Sequence, residues 1–98
     1  MLKQELIQNI EVFFTKNYLQ VKVIAAGFEE SAAYAFYVYK AGNSEAIAKS
    51  AYKKFDTYQL EILEPGEYRV KVFMKNTKTG QVITQTSERI QKTNIVEY

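Results

Sequence analysis

The chain has 98 residues, enough for one domain with a single core and no covalent staples. It contains neither cysteine nor histidine, which excludes disulfides, thiolate metal sites, nucleophile pairs of the Cys–His or Ser–His kind, and the commonest zinc ligand and general base. With 13 Lys and Arg against 11 Asp and Glu, the net charge of +2 is too balanced to argue for a nucleic-acid surface.

No apolar run approaches the ~18 residues of a membrane helix, and the start, Met1 to Glu5, lacks the apolar stretch of a signal peptide. Neither nucleic acid nor a membrane is expected as a partner, and no cofactor is expected. The compartment stays open between a cytoplasmic protein and a domain taken from a longer chain. The end, Thr93 to Tyr98, carries no closing signal, which favours the second. Aromatic residues make up 14% of the chain, 8 Tyr and 6 Phe, more than a core of this size absorbs, so some tyrosine is expected at the surface.

In chain order, Leu2, Leu6 and Ile10 are spaced for a helix turn, whereas Ile10, Val12 and Phe14 alternate as in a strand. The alternation predicts a strand over 7–14, with the first residues loose. After a polar break at Lys16 and Asn17, residues 18–26 alternate again, with Leu19, Val21, Val23 and Ala25 inward against Gln20 and Lys22 outward. Residues 27–31 read as a loop, acidic at Glu29 and Glu30. Residues 33–41 form a tyrosine-rich strand whose inward parity is Tyr34, Phe36 and Val38, because the opposite choice leaves Phe36 in water. Gly42 and Asn43 end it in a turn.

Residues 44–55 fit two patterns. Ile47, Ala51 and Phe55 at i, i+4 and i+8 suit a helix, whereas a second extended run after a Gly-Asn turn makes a hairpin; a strand is the expectation. Asp56 and Thr57 break the chain again. Tyr58, Leu60 and Ile62 then share one parity, and Tyr68, Val70, Val72 and Met74 share another, so each run offers one apolar face. Between them Pro65 fixes φ and Gly66 permits φ > 0, so two half-buried strands meet at a tight corner. Residues 76–80 form another turn, and residues 81–91 a last strand, rich in Thr and Gln and suited to a sheet edge. Seven or so short strands separated by turn signals at ~8–12-residue intervals describe an all-β antiparallel sandwich.

The corner carries a family resemblance. Leu63, Pro65, Gly66, Tyr68, Val70 and Val72 resemble the E-to-F corner of fibronectin type III and related immunoglobulin-like sandwiches. In those folds the tyrosine packs into the core and its hydroxyl bonds to backbone near the corner, a role the resemblance assigns to Tyr68. The chain is more closely similar to the bacterial three-Y (triple tyrosine) domains of two-component regulators, where a tyrosine-rich strand precedes the same corner. Tyr34, Ala35, Phe36, Tyr37, Val38 and Tyr39 fit that strand, and the likeness spans about residues 18–87. With no tryptophan in the chain, the core Trp common in type III and antibody-like domains has no counterpart. The resemblance implies one immunoglobulin-like domain over 1–98, part of a larger bacterial protein.

Little remains for catalysis. Glu29 and Glu30 are adjacent, but neighbouring carboxylates in an exposed loop solvate separately. Asp56 is the only aspartate, so no calcium loop of the EF-hand kind can be written. The four glycines stand alone at separate turns, which rules out a phosphate-cradling loop. One positive constellation is left. If Tyr68, Val70, Val72 and Met74 point inward, then Arg69, Lys71, Phe73 and Lys75 point out, beside Tyr37 and Tyr39 of the neighbouring strand. Such a face stacks on sugar rings and reaches anions, or forms a cross-strand lattice and a contact with another domain. The leading expectation is a non-catalytic accessory module, used for spacing or for contact with a neighbouring domain or protein partner. Carbohydrate binding through the same face is the alternative.

Overall fold

Period-two alternation pleats each long segment into a strand with one apolar face, and two such sheets bury those faces against each other. In the computed structural model, which describes residues 6–93, the strands are β1 (Ile7–Thr15), β2 (Tyr18–Ala25), β3 (Ala32–Lys40), β4 (Ala48–Lys49), β5 (Thr57–Glu61), β6 (Gly66–Asn76), β7 (Val82–Thr86) and β8 (Ile90–Lys92). All pairings are antiparallel. One sheet has the order β1-β2-β5; the other runs β4-β3-β6-β7, with β8 continuing beside β6. A 3-10 turn, Glu29–Ser31, leads into β3. Helical spacing of Ile47, Ala51 and Phe55 produces no helix, and Ile47 and Phe55 are exposed. The loose start expected before residue 6 and the chain end after Thr93 lie outside the described residues.

Register matches burial. Ile10 lies opposite Val23, Val12 opposite Val21 and Phe14 opposite Leu19, all on the inner face. Leu60 and Tyr58 continue those rows onto β5. On the other sheet Phe36 faces Val72 and Val38 faces Val70, and Val38, Val70 and Val72 are wholly buried. The Phe36 and Tyr58 rings stack between the two sheets, centroids 5.1 Å apart and 11° from parallel. In β1 the inward residues Ile7 and Ile10 are three apart because a bulge between Ile7 and Asn9 absorbs one residue.

The Pro65-Gly66 corner is a crossing between sheets, since β5 belongs to the first and β6 to the second. Ile62 is buried just before it, whereas Leu63 is exposed. The leucine that carried part of the corner resemblance therefore does not pack, and its neighbour does. Tyr68 is only 1% exposed, and its hydroxyl donates to the Glu64 carbonyl at 2.6 Å.

Both edges of the larger sheet bend by the same device. On one side Ser50 N–H donates to the Phe36 carbonyl while the Ser50 hydroxyl, in place of its own carbonyl, accepts the Phe36 N–H at 2.9 Å. The next pairing is Tyr34 with Lys53, so Ala51 and Tyr52 stand opposite Ala35 alone. On the other side Ser87 N–H donates to the Val70 carbonyl, and the Ser87 hydroxyl accepts the Val70 N–H at 2.9 Å. Pairing resumes at Tyr68 and Ile90, leaving Glu88 and Arg89 opposite Arg69. The strand expected over 44–55 is thus reduced to Ala48–Lys49 and a bridge, and the one expected over 81–91 is divided in two. Each extra residue switches which parity faces the core, and Ile90 packs inward where continuous alternation from Ile83 would turn it out.

Candidate functional site

Strand pairing decides which exposed side chains become neighbours. Across the outer face of the larger sheet, Lys49, Tyr37, Lys71 and Thr86 form one row. Ala35, Phe73 and Thr84 form the next, and Ala33, Lys75 and Val82 the one after. Tyr39 and Arg69 flank the first row on its other side. All five residues singled out from the sequence, Tyr37, Tyr39, Arg69, Lys71 and Phe73, are half-buried and share this face.

The rings lie close together, with the Tyr37 and Phe73 centroids 4.6 Å apart and their planes tilted by 56°. Each ring also carries a cation. Lys49 Nζ lies 5.1 Å from the Tyr37 centroid, Arg69 Cζ 5.1 Å from Tyr39, and Lys71 Nζ 5.2 Å from Phe73. Lys75 Nζ lies 5.3 Å from the Tyr52 ring. Contacts of this kind at a surface contribute about 0.5–1 kcal/mol each. Ala33 and Ala35 are nearly fully buried yet stand outside the core cluster. Small side chains opposite Lys75 and Phe73 are covered by larger neighbours, so the outer face carries an apolar layer of its own.

Charge is one-sided here. Among the described residues the ion pairs are Lys40 with Glu64 and Arg89 with Glu67. Among the described residues, Lys49, Arg69, Lys71 and Lys75 have no carboxylate within ion-pairing distance. Burial, and secondarily the neighbouring Tyr37, pushes the Tyr52 hydroxyl above its ordinary titration range.

Sequence parity placed these five and Lys75 on the outward side and missed Lys49 and Tyr52. Lys75 was legible, since it shares the parity of Arg69, Lys71 and Phe73. Lys49 and Tyr52 were not, because the bulge after Ser50 breaks the alternation that would have assigned them a side. Of the adjacent acids, Glu30 is exposed, and the Glu29 side chain lies outside the described part of the structure. Among the described residues no group of three acidic side chains is placed to hold a metal ion. Comparison with protein-family models and with curated protein sequences gives no match for this chain.

Proposed function

We propose that the chain is a non-catalytic, immunoglobulin-like module of the fibronectin type III kind that contacts an acidic partner protein or neighbouring domain through the outer face of its larger sheet. The domain assignment rests on the corner, where the buried Tyr68 hydroxyl bonds to the backbone of Glu64, as the tyrosine corner of those sandwiches requires. Strand distribution agrees with it. The first, second and fifth strands share one sheet, while the third, sixth, seventh and eighth share the other, with the fourth beside the third. Kinship with the three-Y domains rests on Tyr34, Tyr37 and Tyr39 before that corner.

The observation that carries the functional reading is the set of four cations held against aromatic rings and paired with no carboxylate among the described residues. A cation that already lies on a ring has lost part of its rotamer freedom, so pairing it with a partner's carboxylate costs less ordering. Half-buried aromatics among the cations add apolar area at the centre of such a contact. Carbohydrate binding is the second reading. It is favoured by the same aromatic cluster but needs open, flat rings, whereas Tyr37 and Phe73 are tilted to each other and each has a cation at its side.

Titration with a glutamate-rich polypeptide, followed by amide chemical shifts, tests the first reading. The expected shifts fall on β3 and β6, weaken with added salt, and disappear in a Tyr37→Ser/Phe73→Ser variant that keeps its melting temperature within a few degrees. Salt-insensitive binding of neutral glycans on an array, lost in the same variant, would establish the second reading instead. Shifts confined to other faces would overturn both.

A further inference from the structure

We infer that the free edge of β7 pairs antiparallel with β7 of a second copy, joining the two larger sheets across a two-fold axis. The alternation of the ladder fixes which groups are available. Asn76 N–H donates to the Gln81 carbonyl and Ser87 N–H to the Val70 carbonyl. With the continuous register between them, Ile83 and Gln85 exchange bonds with β6, and the N–H and C=O of Val82, Thr84 and Thr86 point away from it. No backbone group among the described residues pairs with those three. An open groove of about 480 Å³ between Ile10 and Val12 on one side and Gln85 and Ser87 on the other separates this edge from β1. A row of alternating donors and acceptors at strand spacing is satisfied by another extended backbone.

The other edges carry the features that discourage such pairing. β4 is two residues long and includes Lys49; β1 has a bulge and Glu11; β5 ends at Glu61 and follows Asp56. By contrast, residues 79–87 hold neither a charge nor a proline. A second copy is the occupant that this composition fits. In the antiparallel register with Thr84 opposite its own twin, Val82 falls opposite Thr86, so exposed β-branched side chains meet and no like charges stand face to face. Lys71 and Lys75 lie one strand further in. Since the contact is a single short edge, the dimer is weak and concentration-dependent.

Sedimentation equilibrium of the full chain from ~10 μM to ~1 mM tests this, a range set by the small contact area. The expected mass rises toward that of two chains. Amide exchange at Val82, Thr84 and Thr86 should slow as concentration rises. Thr84→Lys, which sets two ammonium groups opposite each other, should hold the mass at one chain while leaving the melting temperature nearly unchanged, and Thr84→Val should keep the dimer. A single-chain mass over the whole range would overturn the proposal. So would a dimer that Thr84→Lys leaves intact, or one abolished by Tyr37→Ser/Phe73→Ser, which would place the contact on the sheet face.

Discussion

At Tyr68 a single residue joins packing to hydrogen bonding. Its ring is buried and meets Phe14 edge-on at 6.2 Å, while the hydroxyl anchors the corner at Glu64. Tyr68→Ala should cost about 3–5 kcal/mol, the usual loss for a large buried ring, whereas Tyr68→Phe should cost only about 1 kcal/mol for the lost hydrogen bond. Tyr37→Ala, on the half-exposed outer face, should cost well under the loss at Tyr68→Ala. Urea denaturation of the three variants measures this, and equal losses at Tyr68→Ala and Tyr37→Ala would contradict the inward and outward parities of β6 and β3. Gly66 belongs to the same corner. Its φ of +154° lies where side chains rarely go, and a Cβ there would meet Lys40 Cε at 2.7 Å. Pro-Gly-x-Tyr was legible in the sequence because turn chemistry and parity are local properties. The exposure of Leu63 was not, since which of two adjacent apolar residues packs depends on the angle at which the chain leaves β5.

Among the elements, the two edge strands of the larger sheet show how a hydroxyl can end a ladder without leaving a buried donor unpaired. Val70 and Phe36 are buried, and their N–H groups bond to Ser87 Oγ and Ser50 Oγ where the edge strands turn away. Removing the hydroxyl in Ser87→Ala strands a buried N–H, an expected cost of about 1–3 kcal/mol with faster amide exchange at Val70. A loss of stability without any change in Val70 exchange would show that the serine acts elsewhere. These bulges explain why the last strand and the 44–55 segment were only partly readable. A serine in a Thr- and Gln-rich or Ala-rich run carries no mark of bulging; the partner strand's N–H decides it. The consequence reaches the candidate site, because the bulge after Ser50 places Tyr52 close to Lys75.

For the molecule as a whole, titration separates the neutral range from the alkaline one. With no histidine present, stability should be nearly level from about pH 5 to 8. Burial raises the hydroxyl titration of Tyr34, Tyr52, Tyr58 and Tyr68, with Asp56 adding to the effect at Tyr34 and Tyr37 at Tyr52. A raised value means that the folded chain keeps these protons when the unfolded chain has lost them. The associated stability is therefore fully present below about pH 10 and is lost as the pH climbs from there through the raised values. Thermal melts from neutral to strongly alkaline pH should show a level region followed by a fall, and a level melting temperature through the alkaline range would refute the burial of these hydroxyls. What the sequence alone determined is whatever follows from period-two alternation and turn chemistry: the long strands, their inner faces, the corner, and one outward parity rich in Tyr, Lys and Arg. Only the tertiary structure decided which strands lie side by side, and therefore that Lys49 and Lys71 flank Tyr37, that two alanines on the outer face are covered, and that β7 keeps an uncharged edge open. The physical reason is that alternation assigns a side chain to a face but not to a neighbour; neighbours are set by long-range backbone pairing, whose register the bulges reset.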